Sequence, residues 1–222
     1  MAEPAERGAS ITIDHIADVA CPWCYIGLRR FARACTMRPA HRVRARWRPF
    51  MLNPALPAEG MDRGAYMRAK FGTEADAQRI YERIAQVGKA EGIPFQFGRM
   101  ERTPNTLQAH RLILLAQARG PAEALIERLF CALFIEGRDV GDLGVLAEEA
   151  AAAGLERPEV ETWLAGRELA DEVVRSHETA QWQGVRGVPA FVLAGTHAIT
   201  GAQPAEVLTG LIDVAAHQSA AH

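Results

Sequence analysis

Cys21-Pro22-Trp23-Cys24 decides how this sequence folds. An apolar run, Ile11 to Ala20, leads into it, and an amphipathic run, Tyr25 to Cys35, leads out. That context predicts a strand, a tight turn and a helix, with Cys21 at the helix mouth. Pro22 suits the first helical position, where a missing N–H costs nothing. The free N–H groups and the positive dipole end there favour a thiolate at Cys21. A thiolate is the nucleophile of disulfide exchange, and CxxC thiols of this kind have pKa values of roughly 3.5–7.5. Cys24, Leu28, Phe31 and Cys35 fall on one helical face, which should be the buried one. Cys21 is then expected at the rim and Cys24 inward, a division that suits an attacking and a resolving cysteine. Two other readings compete: a purely structural thiol pair, and half of a zinc site completed by Cys35 and His41. On an unbroken helix Cys35 would lie about 16 Å from Cys24, too far to share a metal, so no metal ligands are assigned.

Working outward, the 222 residues carry a net charge of −2 and a charged fraction of 23%, which gives no basic footprint for nucleic acid. No apolar run is long enough for a membrane span. Met1 to Ser10 lacks the pattern of a signal peptide and reads as a short disordered tail, so a cytoplasmic protein is expected. Four cysteines in a chain of this length do not make a disulfide scaffold, and in a reducing compartment a CxxC beside a βαβ pattern points to catalysis.

Ile11, Ile13, Ile16 and Val19 make the first strand. Asp18 and His15 interrupt it close to the cysteines and are candidates for a proton relay to Cys24. The competing reading puts both at the strand's solvated face or end. Val43, Ala45 and Trp47 alternate with Arg42, Arg44, Arg46 and Arg48, which predicts a half-buried strand. Its arginines suit an anion patch or, more simply, a charged edge that discourages aggregation. From Asp62, which looks like an N-cap, to about Gln183, periodicity predicts helices with no repeat. Ala190 to Ala194 and His197 to Thr200 then read as strands. A final amphipathic helix carries Val207, Leu208 and Leu211, and the chain should fray from about His217.

The order is therefore βαβ, helices, ββα. The first strands cannot bury a sheet without the last two. One discontinuous α/β domain is expected, residues 11–61 with 184–217, carrying an all-helical insertion at 62–183. Pro189 opens a strand that should lie beside the CxxC turn. A cis Val188–Pro189 bond would bend the chain and free the Val188 backbone to pair with an extended peptide.

The stretch Asp18 to Gly27 resembles the DsbA-like, FrnE-type family of thioredoxin-fold oxidoreductases. So do Trp47-Arg48-Pro49-Phe50, Asn105-Thr106, Ala109 to Leu112, Glu136 to Asp142, Gly187 to Phe191 and Gly201 to Pro204. The resemblance spans nearly the whole chain. It implies a thioredoxin fold with a helical insertion, a redox-active Cys21–Cys24 pair and a cis Pro189. It also implies that Asn105, His110 and Gln203 approach the cleft, against plainer readings as helix-terminal, helix-surface and loop positions. Some members carry a second cysteine pair near the C-terminus. No cysteine follows Cys131 here, so recharging by an external thiol or partner protein is expected.

The resulting expectation is a cytoplasmic protein disulfide oxidoreductase or isomerase with no bound cofactor. Its partners would be protein or small-molecule thiols and disulfides, with glutathione or another low-molecular-weight thiol a candidate co-reactant. Neither nucleic acid nor membrane is expected as a partner, and monomer and homodimer both stay open. Val188 and Pro189 would hold the substrate, and Pro22 and Trp23 would shape the turn and the cleft entrance. The alternatives are a glutathione-dependent enzyme like the kappa-class transferases and 2-hydroxychromene-2-carboxylate isomerases, which typically have serine at the position of Cys21, and a client-binding chaperone module.

Overall fold

The computed structural model describes residues 11–220, so the tail expected at Met1 to Ser10 lies outside the described residues. Strand β1 (Ile11–Ala17), helix α1 (Pro22–Thr36) and strand β2 (Val43–Pro49) come first. β1 and β2 are parallel, with Ile11 opposite Val43 and Ala17 opposite Pro49. Next come β3 (Met61–Asp62), α2 (Arg63–Phe71), α3 (Glu74–Ala90) and β4 (Arg102–Thr103). The helices α4 (Leu107–Arg119), α5 (Glu123–Cys131), α6 (Leu143–Ala152), α7 (Arg157–Leu164) and α8 (Ala170–Trp182) follow. The chain returns through β5 (Ala190–Leu193) and β6 (His197–Thr200) to α9 (Ala205–Ala220).

The main sheet has the order β2-β1-β5-β6. β5 runs antiparallel to β1, with Phe191 opposite His15, and β6 runs antiparallel to β5. Strands from the two ends of the chain thus complete one sheet, the thioredoxin arrangement with helices inserted between its halves.

Ala132–Glu136 continues from α5 as a π-helical turn. Two corrections to the sequence reading follow. The inserted stretch is not all helical: β3 and β4 pair antiparallel, Met61 opposite Thr103. Strands of two residues are too short to leave a period-two pattern. The last helix does not fray at His217 but continues to Ala220, with His217 Nδ1 lying 2.6 Å from the Asp213 carbonyl.

Apolar packing explains the layers. Ile11, Ile13, Phe31, Phe191, Leu208 and Ile212 join β1, β5, α1 and α9 on one face of the sheet. Ile16, Phe50, Ala180 and Ala190 seat α8 on the other. A larger core joins Tyr25, Ile26 and Trp47 to Leu112, Phe130 and Leu133 of the inserted helices. The first turns of α1 are therefore covered from two sides, which is why Cys24, Tyr25, Ile26 and Gly27 are all buried. Burial of apolar area on this scale is the main force holding the inserted helices to the sheet.

β2 is one edge of the sheet. Its outward arginines are partly paired, Arg46 holding Asp14 at 2.5 and 2.9 Å. The Gln117 side chain accepts from Trp47 N at 2.6 Å and donates to Trp47 O at 3.1 Å. An amide side chain thus occupies backbone groups that an edge strand would otherwise offer to another chain.

Candidate active site

Cys21 is the N-cap of α1, with extended backbone angles, and Pro22 stands at the start of the helix. No side chain caps this first turn, so the positive end of the helix dipole is left to act on the sulfur. The turn is fixed by backbone bonds, Cys21 N to Asp18 O and Cys24 N to Cys21 O, both 3.0 Å. Cys21 Sγ donates to the carbonyl of Val188 at 3.7 Å. The Val188–Pro189 peptide is cis, which places that carbonyl's segment across from the helix mouth. Gly27 makes room for it: a Cβ there would stand 2.9 Å from Pro189 Cγ.

The cysteines differ less in exposure than their spacing suggests. Cys21 is 4% exposed and Cys24 is fully buried. Cys21 does not project from an open rim, because α2 and α3 close over it. It opens instead into a cavity of about 180 Å³ shared with Trp23, Leu52, Asn53, Tyr66, Tyr81 and Met100, among others. A larger cavity, about 380 Å³, lies along Arg42–Arg46 of β2 and the start of α5, but neither cysteine lines it. The chemistry therefore locates the site in the smaller one. Burial, then the neighbouring Cys21, then the Asp18 charge push the Cys24 thiol well above its ordinary pKa. Cys24 waits protonated behind Cys21.

Asp18 organises the turn. Its Oδ1 accepts from Ala20 N at 3.1 Å and its Oδ2 from Leu52 N at 2.7 Å, tying the segment before Cys21 to the segment after β2. It is not solvated but 1% exposed. His110 is equally buried, with Nε2 3.3 Å from Asp18 Oδ1. That contact has ion-pair distance but misses hydrogen-bond angles, since His110 Nε2 has no hydrogen-bond partner. Trp47 Nε1 donates to His110 Nδ1 at 3.0 Å. An indole nitrogen can only donate, so His110 carries its proton on Nε2, facing Asp18. His177 completes the surround: its Nδ1 accepts from Met51 N at 3.2 Å, and burial lowers its pKa.

His15 is also fully buried, so the solvated-face reading fails for both relay candidates. Its ring stacks on Phe191 at 4.5 Å and meets Trp47 edge-on at 5.4 Å. Neither ring nitrogen has a hydrogen-bond partner, so no bonded path leads from it to a cysteine. Burial pushes its pKa down to about 3. Asn105 is a loop clamp, donating to Leu56 O at 2.8 Å and accepting from Leu107 N at 3.0 Å. Its neighbours Thr103 and Pro104 line the cleft. Gln203 is exposed, its amide donating to Thr200 O at 3.0 Å. The structure thus gathers Cys21, Cys24, Val188, Pro189 and Trp23, with Asp18 and His110 behind them. His15, Asn105 and Gln203 do not line the cavity beside Cys21, although Pro104 does and Gly201 N donates to Pro189 O at 2.7 Å.

Sequence reasoning missed His177 and the cleft wall of Arg63, Tyr66, Lys70 and Tyr81. An aromatic at Tyr66 and a cation at Lys70, one helical turn apart, were the available signal. Among the described residues no three His, Cys, Asp or Glu side chains group as metal ligands, and no helix is long and apolar enough to cross a membrane.

A sheet of this order with a CPWC helix mouth facing an X–Pro loop defines a thioredoxin-fold protein with a paired-thiol site. More particularly, the chain belongs to the DSBA-like thioredoxin domain family, whose model matches residues 12–213. It is similar to a "probable DsbA oxidoreductase" of Streptomyces coelicolor, with 33% identity, coverage of 93% of this chain and 90% of that one, and a TM-score of 0.80. The cytosolic disulfide reductase DsbM of Pseudomonas aeruginosa, solved with GSH, shares 23% identity over 95% of this chain and 98% of that one, with a TM-score of 0.62. YwbO of Bacillus subtilis (strain 168) is 24% identical over 188 residues, 84% of this chain and 88% of its own.

Proposed function

We propose that this protein is a cytoplasmic thiol–disulfide oxidoreductase working through the Cys21–Cys24 couple. One observation carries the reading: Cys21 Sγ lies between the uncapped start of α1 and the Val188 carbonyl, with Cys24 buried one turn behind it.

In the reducing direction the Cys21 thiolate attacks one sulfur of a substrate disulfide. A Cys21–substrate disulfide forms, the substrate S–S bond breaks, and one substrate thiolate leaves. Cys24 then gives up its proton and attacks Cys21 Sγ, releasing the second substrate thiolate. Two electrons pass to the substrate and the enzyme keeps a Cys21–Cys24 disulfide. Burial holds Cys24 protonated until this step, which prevents it from competing for substrate. The Asp18 carboxylate, buried beside the turn, is the candidate acceptor for that proton. The Val188 backbone would pair with an extended substrate, and Trp23 would flank its entry.

The same steps reversed oxidise a dithiol, and the direction follows the couple's potential against that of its compartment. We assign recharging to an external low-molecular-weight thiol such as glutathione. The test is insulin-disulfide reduction driven by glutathione. Cys21→Ser should abolish it, and full activity in that variant would refute the mechanism.

A further inference from the structure

The wall of the cleft facing Cys21 is aromatic and apolar, yet it carries two cations, Arg63 and Lys70, and no carboxylate. The Arg63 guanidinium lies 4.9 Å from the centre of the Tyr81 ring and 5.8 Å from that of Tyr66. Lys70 Nζ donates to Tyr66 OH at 2.6 Å and lies 5.1 Å from the same ring. Arg63 also donates to Thr103 Oγ1 at 3.2 Å. Among the described residues, neither cation has an acidic partner. Elsewhere the arginines readily find carboxylates, as Arg30 and Arg33 do with Glu91.

Arg63, half-buried among rings, keeps part of its desolvation cost, which cation–π contact offsets incompletely. An incoming anion completes the compensation with charge-assisted hydrogen bonds. Arg63 and Tyr81 also line a second cavity, about 260 Å³, beyond the first. They form the partition between the two, so the guanidinium borders the space where a substrate group would lodge. At about 180 Å³ the cavity beside Cys21 has room for one half of a small disulfide.

From this we infer that Arg63 and Lys70 form a carboxylate subsite, and that the preferred substrate is a low-molecular-weight apolar or aromatic disulfide bearing a carboxylate. This rests on the thiol–disulfide reading above and names its substrate class. The chemistry is the exchange already described: Cys21 bonds to one substrate sulfur and the other half leaves as thiolate. Attack by Cys24 then frees the retained half, leaving two substrate thiolates and the enzyme disulfide.

The test uses pre-reduced protein in single-turnover reactions with 5,5′-dithiobis(2-nitrobenzoate) and with its neutral carboxamide analogue. Each rate is divided by that of free dithiothreitol with the same disulfide, which removes intrinsic reactivity. The wild type should prefer the carboxylate by about tenfold, as one charge-assisted bond would give. Lys70→Met and Arg63→Met should each bring the ratio toward one, and added salt should do the same. Lys70 is exposed, so Lys70→Met carries the test even if Arg63→Met fails to fold. A wild-type ratio near one, or a ratio unchanged in Lys70→Met, overturns the subsite while leaving the exchange mechanism standing. Reaction of Cys21→Ser at the wild-type rate overturns the mechanism and the subsite with it.

Discussion

Gly27 and Pro189 occupy the same space to within one methyl group: a Cβ on residue 27 would stand 2.9 Å from Pro189 Cγ and 3.5 Å from the Phe191 ring. A proline ring cannot swing aside as a long side chain can. Alanine is favoured over glycine within a helix by about 1 kcal/mol, so Gly27→Ala would stabilise an unhindered position. Here overpacking, typically about 1–3 kcal/mol, should win. The variant is expected to unfold at lower urea and to react more slowly with disulfides, because the Val188 segment moves off Cys21. A more stable variant with unaltered rate would contradict this packing.

His15 should make stability fall in mild acid. Its folded pKa, about 3, is below the ordinary 6.5, so the unfolded chain binds the proton more readily. The contribution is fully present above about pH 6.5 and is lost as pH falls toward 3, at a slope of about 1.4 kcal/mol per pH unit. Burial lowers the pKa of His177 too, which adds loss of the same sign. In His15→Leu the dependence of unfolding free energy on pH, measured between pH 4 and 6, should be shallower by about that slope. Parallel curves for the two proteins would show that His15 does not titrate in this way.

Asp18 is expected to matter first as a clamp. Asp18→Ala leaves Ala20 N and Leu52 N without their acceptor, at about 2–4 kcal/mol in total. Asp18→Asn keeps one acceptor oxygen and should lose less. Urea denaturation of both variants orders them, and an alanine variant as stable as the wild type would rule the clamp out. Stopped-flow measurement of the second exchange step should also show slower attack by Cys24 in the asparagine variant.

The sequence reading reached as far as local spacing reaches. Cys21, Pro22 and Cys24 announce a helix mouth by themselves, and Asp62 announces the cap it makes at Ala65 N. Other features join residues far apart in the chain. Trp47 meets His110 across 63 positions and Cys21 meets Val188 across 167. Periodicity carries no record of such pairs; a proline at a strand start suggests the place of Val188, and family resemblance implies the cis bond. Resemblance also suggests Gln203 near the cleft; its amide donates to Thr200 O, in a loop whose Gly201 N donates to Pro189 O at 2.7 Å. The low exposure of Cys21 was hidden for a related reason: α2 and α3, which close over it, begin some forty residues downstream.

Trapping on Cys24→Ala tests the central claim most directly. The reduced variant is mixed with 5,5′-dithiobis(2-nitrobenzoate) and its intact mass and peptide map are taken. Cys35 and Cys131 are partly buried and burial raises the pKa of both, so they should react slowly. The expected result is one thionitrobenzoate on Cys21, stable in Cys24→Ala, and a Cys21–Cys24 disulfide with no adduct in the wild type. An adduct on Cys35 or Cys131 with Cys21 left free, or an adduct that persists on wild-type Cys21, would contradict it.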